Sequence, residues 1–340
     1  MVINILITCV GGDLMPYLIQ YLKRIKPLRI RIIGTDIDIN AVGKYFCDKF
    51  YKVPKGSDSE YIKYCIRIIK DENISLIIPT SDEEALSLSK YKNKTNNLGA
   101  NLACIDYEIL KKLNDKSKTY EELENKSLPV ASWDNIVDFD DLLLKIRYFK
   151  KEYGGLVLKP KQGRGSKDIY IFGNNINLKK RNNINYFNNE KILLKTLEKK
   201  TNLSQYIIMK ELNNPVIDLD MLSWKGKAIS IIPRRRIDPA FPNMGHKIMK
   251  CPKLVELGHK LIDTFNLSWL YDCDIMYDDN NNPSIIEINP RQSGSIAVSI
   301  AAGYKIFDNL LNLHLNKTTL KENTLKEKLI IPFKDLKETI

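Results

Sequence analysis

Short apolar runs alternate with amphipathic stretches along the first third of the chain. Residues 3–9 are mostly apolar, which is typical of a strand buried on both faces of a parallel sheet. Helical spacing of apolar residues follows over 14–25, and a second apolar strand covers 29–35. An amphipathic helical pattern follows over 59–71, and another apolar strand over 75–78. This βαβα order predicts a doubly wound parallel sheet.

The rest of the chain shows hairpins with intervening helices. Strand-like runs at residues 155–160 and 168–172 flank a glycine-bearing loop. Those at residues 216–224 and 228–236 are joined by a short turn that contains Gly226. Mostly antiparallel pairing is therefore expected here, so an α/β part is followed by an α+β part.

The composition is that of a folded globular chain. It is 44% hydrophobic and 28% charged, which excludes a mainly disordered protein. No run of about 18 apolar residues occurs, so we expect no membrane partner. The six cysteines form no CxxC pair, and we interpret them as reduced thiols of a cytoplasmic protein.

The formal net charge of +12 allows either a nucleic-acid partner or anionic small substrates. The basic residues are dispersed along the chain, with only short runs. No helical stretch combines a basic face with interleaved aromatic residues. We therefore expect no nucleic-acid partner.

A polar stripe occupies one face of the predicted strand near residue 288. Glu287, Asn289 and Arg291 alternate with apolar residues, so period 2 places them on the same face. Carboxylate and amide oxygens suit Mg²⁺ that holds phosphate, and arginine suits an anionic oxygen. Asp272 and Asp274 share a face of the preceding strand. The alternative interpretation is a solvated hairpin face without a ligand.

A glycine-bearing loop follows an apolar strand that ends at Lys159. Gly163 and Gly165 would let backbone N–H groups approach a phosphate, and the Lys159 side chain would supply a point charge. The Walker A order GxxxxGK[ST] is missing. Taken alone, the segment is equally an ordinary flexible hairpin turn.

Two further strand segments carry candidate chemistry. Arg234 and Arg236 share one strand face and could bind a carboxylate or phosphate, although charge that guards an edge strand is the alternative. An apolar strand ends at Glu211-Leu212, whose backbone groups could meet an adenine edge. An ordinary strand end explains that pattern equally well.

Together these segments resemble ATP-grasp proteins of the carbamoyl-phosphate-synthase-like carboxylate–amine ligase group, over nearly the whole length. The E-I-N-P-R string at Glu287–Arg291 is the most specific part of the resemblance. The resemblance implies a Rossmann-like pre-ATP-grasp domain at residues 1–105. A two-lobed ATP-grasp domain would cover 106–315, with its small lobe at about 125–210, and a tail would cover 316–340.

The resemblance also implies roles for individual residues. ATP would be held by residues of four segments, namely Lys116, which follows Asp115 in the family's "DK" pair, Lys159, the loop residues Gly163, Gly165 and Ser166, and the hinge residues Glu211 and Leu212. Asp274, Glu287 and Asn289 would bind the metal, and Arg291 would contact the acyl phosphate. With ATP and the metal bound in this way, Arg234 or Arg236, from the strand face described above, would hold a substrate carboxylate. The family's ribose-binding glutamate is absent, and Asp218 is the substitute that this sequence offers.

The activity implied is ATP-dependent amide formation from a carboxylate and an amine through an acyl phosphate. Its cofactors would be ATP and Mg²⁺, or Mn²⁺ in place of Mg²⁺, and a homodimer is a further expectation because the family commonly dimerises. One alternative is an ATP-binding regulatory protein without catalysis. Another is a nicotinamide-dependent oxidoreductase, based on Gly11-Gly12 after the first strand and Asp36 after the second.

Overall fold

The computed structural model describes residues 2–163, 168–173, 184–317, 319–321, 326–333 and 335. These residues form two compact units. The first unit comprises Met1–Lys111, Ile217–Asp274 and Ile288–Ile340, and the second comprises Lys112–Val216 and Ile275–Glu287. The bounds predicted for the domains from sequence stay a prediction.

A five-stranded parallel sheet opens the chain. Its strands are β1 (Val2–Ile7), β2 (Arg29–Asp36), β3 (Lys49–Lys52), β4 (Leu76–Ile78) and β5 (Asn101–Leu102), in the order β3-β2-β1-β4-β5. All four pairings are parallel. The accompanying helices are α1 (Met15–Lys23), α2 (Tyr61–Asp71), α3 (Asp82–Lys90), α4 (Lys92–Asn97) and α5 (Tyr107–Leu113). The predicted doubly wound sheet is confirmed.

The apolar runs that predicted these strands form their buried core. Ile3, Ile5 and Ile7 of β1 are at most 1% exposed, because helices and neighbouring elements cover the sheet as parallel pairing requires. Ser81 precedes α3 as its N-cap and accepts a hydrogen bond from the Glu84 N–H. Helix α3 therefore begins at Asp82, directly after the loop that follows β4.

The second unit contains a mixed sheet with its own core. Its helices are α6 (Lys116–Asn125), α7 (Phe139–Tyr153) and α8 (Glu190–Leu197). Its strands are β6 (Trp133–Asn135), β7 (Leu156–Pro160), β8 (Ile169–Phe172), β9 (Ile184–Phe187) and β10 (Tyr206–Lys210), in the order β6-β10-β7-β8-β9. Only β8 and β9 among them pair in parallel in this described part of the chain. Leu142 and Ile146 of α7 pack with Leu158 of β7 in this core.

A third sheet follows in sequence. Its strands are β11 (Asn213–Trp224), β12 (Lys227–Arg236), β13 (His246–Ile248), β14 (Trp269–Tyr277), β15 (Pro283–Asn289) and β16 (Lys328–Ile330), in the order β15-β14-β11-β12-β13-β16. The last helices are α9 (Pro252–Thr264), α10 (Ala297–Ala301) and α11 (Ile306–His314). An α/β part is thus followed by an α+β part, as the hydrophobic pattern predicted.

Two global features bear on the type of protein. None of the helices in the described ranges combines the length and apolar character that crossing a bilayer requires.

All six cysteines are free thiols, and burial raises the pKa of Cys65 and of Cys104 to about 12. Such thiols are poor nucleophiles, so these two cysteines are packing residues.

Candidate active site

Lys116 lies in the first turn of α6, whose N-cap is Asp115. The Asp115 carboxylate accepts hydrogen bonds from the backbone N–H groups of Ser117 and Lys118. The Lys116 side chain forms an ion pair with Glu287 of β15, with 2.9 Å between Nζ and Oε1. It also donates to the carbonyl oxygen of Gly163 at 3.2 Å. Residues predicted separately as phosphate lysine, phosphate loop and metal ligand therefore lie together.

Lys159 is the second predicted ATP lysine, and it is only 3% exposed. Its Nζ donates to the Tyr120 hydroxyl at 2.7 Å and to the carbonyl oxygen of Ile286 at 3.2 Å. The Tyr120 hydroxyl donates to the same carbonyl. The two lysines thus contact consecutive residues of β15. Sequence analysis did not single out Tyr120, because a tyrosine inside an amphipathic helix predicts packing.

The predicted phosphate loop is described only in part. Gly163 has φ +124°, a conformation that favours glycine, and a Cβ atom there would meet no heavy atom within 4 Å. Gly165 and Ser166 lie outside the described residues.

The predicted adenine hinge follows β10 directly. Leu212 is buried, and burial raises the pKa of the Glu211 carboxyl above its ordinary value. Cβ atoms added at Gly155 and Gly173 would lie 2.4 and 2.1 Å from Glu211 Oε2, so both glycines make room for this carboxylate. Contact of the hinge with adenine stays a prediction.

Three aspartates of β11 and β14 form an acidic cluster in the first unit. Asp218, Asp272 and Asp274 each offer a ligand atom, and these atoms all lie within 4.8 Å of one another. Arg236 of β12 joins two of them, since Nε donates to Asp218 Oδ1 at 2.9 Å and Nη2 to Asp274 Oδ2 at 2.9 Å. Asp272 and Asp274 therefore share a strand face, as the period of two predicted.

Asp272 is the residue of this cluster best suited to bind a cation. It is 4% exposed, and its Oδ1 has no hydrogen-bond partner among the described residues. Burial, and then the carboxylates of Asp274 and Asp218, raise the pKa of Asp272 well above its ordinary value. A set of hard oxygen donors at this spacing, with one buried oxygen unsatisfied, fits Mg²⁺ or Mn²⁺.

Asn289 and Arg291 continue from this cluster along the first unit. The Asn289 amide donates to Asp272 Oδ2 at 3.3 Å, and Arg291 Nη2 donates to Asn289 Oδ1 at 3.2 Å. Arg291 also pairs with Asp82, at 3.0 Å between Nε and Oδ1. The predicted metal ligands Asp274 and Asn289 thus both lie beside Asp272, whereas Glu287 belongs to the second unit.

Arg234 and Arg236 do share a strand face, but their surroundings differ. Arg234 is completely buried, and its guanidinium contacts Asp220 at 2.8 Å and the Ser295 hydroxyl at 3.0 Å. These contacts favour a structural role for Arg234. Arg236 remains 10% exposed. Burial alone would lower its pKa, but the carboxylates of Asp274 and Asp218 raise that pKa above its ordinary value. Contact of either arginine with a substrate carboxylate stays a prediction.

Asp218, the predicted substitute for a ribose-binding glutamate, lies in the interior of the first unit. It is 1% exposed, and His246 Nε2 lies 2.6 Å from its Oδ2. Burial opposes ionisation of Asp218, but Arg236 and His246 hold its pKa well below the ordinary value. Burial lowers the pKa of His246 to about 4. These contacts favour membership of the acidic cluster over ribose binding, which stays untested.

The nicotinamide alternative depended on Gly11 and Asp36. In the structure the Gly11 N–H donates to Asp36 Oδ2 at 2.7 Å, and the Asp38 N–H donates to Asp36 Oδ1 at 2.9 Å. Both carboxylate oxygens are therefore occupied by the loop itself, and a Cβ at Gly11 would lie 2.9 Å from Asp36 Oδ2. This arrangement disfavours a ribose contact at Asp36.

Two family models match the chain. Residues 202–334 match the model described as ATP-grasp in the biosynthetic pathway with Ter operon. Residues 5–103 match the PylC-like N-terminal domain. No curated protein matches the chain by sequence.

Solved structures resemble the whole chain in fold. N5-carboxyaminoimidazole synthetase from Staphylococcus aureus, complexed with ADP, has a TM-score of 0.70 and 17% identity, and the match covers 97% of this chain and 81% of that one. L-amino acid ligase from Bacillus licheniformis has a TM-score of 0.66 and 14% identity, over 92% and 74% of the two chains.

A third similar structure contains the magnesium salt of a nucleotide. It is the biotin carboxylase domain dimer of the Hydrogenobacter thermophilus 2-oxoglutarate carboxylase, in complex with MgADP, ADP and bicarbonate. It has a TM-score of 0.61 and 15% identity, over 88% of this chain and 70% of that one. Residues 202–334 thus match an ATP-grasp family model, residues 5–103 match a PylC-like N-terminal domain model, and the solved structures share the fold of nearly the whole chain.

Proposed function

We propose that the protein is an ATP-dependent carboxylate–amine ligase that releases ADP and phosphate. The observation that carries the proposal is the convergence of two lysines on β15. Lys116 contacts Glu287, and Lys159 contacts the carbonyl of the preceding residue, Ile286. Two cations held beside a carboxylate that can bind Mg²⁺ form a set suited to the phosphates of ATP.

The proposed reaction has two steps. A substrate carboxylate oxygen attacks the γ-phosphorus of ATP, which forms an acyl phosphate and releases ADP. The nitrogen of an amine then attacks the acyl carbon, the C–O bond to phosphate breaks, and an amide, phosphate and a proton result. No protein nucleophile is required, so positioning and charge neutralisation supply the catalysis.

We assign the residues of the protein to these steps by their charge. Lys116 and Lys159 neutralise phosphate oxygens, and Arg291 contacts the acyl phosphate. Asp274, Glu287 and Asn289 hold Mg²⁺, for which Asp272 offers a further oxygen. When bound, the cation offsets the charge of the nucleotide phosphates. Arg236, the more exposed arginine of its pair, is the better candidate to hold a substrate carboxylate.

The partners of this reaction are a small-molecule carboxylate and an amine, and the net charge of +12 suits anionic substrates. The solved structures include an L-amino acid ligase, so amino acids are the first acids and amines to test. The Hydrogenobacter domain is a dimer, and sedimentation of the purified protein tests whether this chain also forms a homodimer.

Glu287→Gln tests the proposal directly. We expect this variant to lose phosphate release from ATP in the presence of Mg²⁺ and amino-acid pairs, because it removes the carboxylate that pairs with Lys116. The exposed carboxylate of Glu256, which pairs only with Lys260 among its described neighbours, provides the matched control Glu256→Gln. Near-normal turnover by Glu287→Gln would contradict the proposal. ATP binding by the wild type without phosphate release would instead support a regulatory protein.

A further inference from the structure

An acidic residue of the N-terminal part of the chain contacts the arginine that follows the E-I-N-P sequence. Asp82 Oδ1 lies 3.0 Å from Arg291 Nε, and Asp82 Oδ2 lies 3.5 Å from Arg291 Nη2. The two side chains are only 11% and 15% exposed. The carboxylate thus faces one edge of the guanidinium with both oxygens, through an ion pair at Nε and a long hydrogen bond at Nη2, which constrains the orientation of the arginine.

Two further contacts of Arg291 come from its own segment of the chain. Nη2 donates to Asn289 Oδ1 at 3.2 Å, and Nη1 donates to the carbonyl oxygen of Gln292 at 2.9 Å. Both of these acceptors are neutral. Asp82, by contrast, forms an ion pair with Arg291 and comes from a distant part of the sequence. Asp82 therefore holds the Arg291 side chain beside α3, a separate element of the first unit.

The backbone that carries Asp82 is itself held in place. The Thr80 N–H donates to Thr8 Oγ1 at 3.2 Å, which fixes the loop after β4 to the end of β1. Ser81 caps α3, and its hydroxyl also donates to Glu84 Oε2 at 2.8 Å. Asp82 is the first residue of α3. A carboxylate at the start of a capped helix, beside a fixed loop, is a rigid support for a functional side chain.

We propose that Asp82 is a positioning residue for the ligase reaction, which holds the Arg291 guanidinium in the orientation that contacts the acyl phosphate. This inference rests on the proposed function. The N-terminal parallel sheet then contributes to catalysis through α3, although no residue of that sheet touches the reacting atoms in this assignment. Small displacements of a group that contacts the transition state lower the rate by up to about 10²-fold.

The variant Asp82→Asn keeps the shape of the side chain and removes its charge. We expect kcat for phosphate release to fall about 10- to 100-fold with little change in the KM for ATP. Asp82→Glu restores a charge and should recover part of the loss. Glu83→Gln is the matched control, because Glu83 lies in the same helical turn but is exposed. It removes the same charge from the start of α3 and should leave kcat unchanged.

A double-variant cycle separates positioning from a general effect on the fold. If Asp82 acts through Arg291, Asp82→Asn should lower kcat in the wild type and change nothing further in an Arg291→Ala background. Additive losses in the two backgrounds, or an Asp82→Asn variant with normal kcat, would overturn the inference. A melting temperature equal to that of Glu83→Gln shows that the variant is folded, and an unfolded Asp82→Asn is replaced in the cycle by Asp82→Ser, which also removes the charge.

The same assays distinguish the inference from the function on which it rests. Absence of Mg²⁺-dependent phosphate release by the wild type with all amino-acid pairs would contradict the proposed function, and the positioning role with it. Turnover by the wild type that Asp82→Asn leaves unaffected would contradict the positioning role alone.

Discussion

The Lys159 amino group lies at a position that is 3% exposed. A buried ammonium is costly unless it is hydrogen-bonded or neutralised. The Tyr120 hydroxyl and the Ile286 carbonyl both accept hydrogen bonds from this group. The amino group is therefore held in place beside β15, where we propose that it contacts a phosphate of ATP.

Lys159→Met should separate this function from stability. The methionine fills the same space without a charge, and the Tyr120 hydroxyl keeps the Ile286 carbonyl as its acceptor. We expect ATP turnover to fall by about 10²-fold, whereas the melting temperature stays constant or rises. The matched control is Tyr120→Phe, which keeps the charge and should retain most of the activity. Normal turnover by Lys159→Met, measured as phosphate release, would exclude its role at ATP.

Residue types alone could predict the acidic and basic groups of the site, but not their partners. The period of the strands correctly placed Asp272 and Asp274 on one strand face. Tyr120 and Asp82 could not be assigned, because their contacts join segments far apart in sequence. Arg234 differs from its prediction in another way. A charged residue on a strand face predicts an accessible side chain, whereas the Arg234 side chain is completely buried.

At the scale of the elements, β11 and β12 are joined by a buried ion pair as well as by their backbone ladder. Arg234 Nε lies 2.8 Å from Asp220 Oδ2, and neither side chain is exposed. Asp220 also accepts a hydrogen bond from the Ser299 hydroxyl of α10. The pair therefore ties two strands and a helix of the first unit together.

Arg234→Met should destabilise the protein by about 3–5 kcal/mol, because it leaves the Asp220 charge buried without its partner. The measurement is the free energy of unfolding in denaturant. Arg235→Met at the next, exposed position is the matched control and should change that free energy by less than about 0.5 kcal/mol. A loss below about 1 kcal/mol for Arg234→Met would show that Asp220 is satisfied without this arginine.

Glu72 joins elements of the N-terminal sheet in a pH-dependent way. It forms ion pairs with Arg31 and with Lys49, both at 2.6 Å, and accepts a hydrogen bond from Tyr51. Burial opposes its ionisation, but hydrogen bonds from Lys49, Tyr51 and Arg31 hold its pKa at about 2, below the ordinary 4.5. The ionised Glu72 carboxylate therefore stabilises the fold fully at pH values above the pKa of Glu72 in the unfolded chain. This stabilisation is lost as the pH falls through the pKa of Glu72 in the folded protein.

Between about pH 5 and pH 2, the wild type should lose about 1–3 kcal/mol more stability than Glu72→Gln. Unfolding free energies measured across this range test the prediction. Glu60→Gln, which removes an exposed ion pair with Lys63, should follow the wild-type profile. Parallel profiles of the wild type and Glu72→Gln would contradict the assigned pKa.

For the whole molecule, local periodicity was sufficient to predict much of the fold. Continuous apolar runs correctly indicated the parallel strands, and the helix at Asp82 was placed by its N-cap. Strands β5, β6, β9, β13 and β16, each of two to four residues, escaped prediction. The pairing of β13 with β16, from His246 to Ile330, depends on contacts that no local pattern encodes.

We infer that this chain binds ATP together with Mg²⁺ through the residues around β15. Calorimetric titration of ATP into the wild type and Glu287→Gln, each with and without Mg²⁺ and with NADH as the control ligand, tests this binding. We expect that the wild type binds ATP more tightly with Mg²⁺, that Glu287→Gln loses most of this dependence, and that NADH does not bind. Binding of NADH in preference to ATP, or Mg²⁺-dependent ATP binding that Glu287→Gln leaves unchanged, would contradict it.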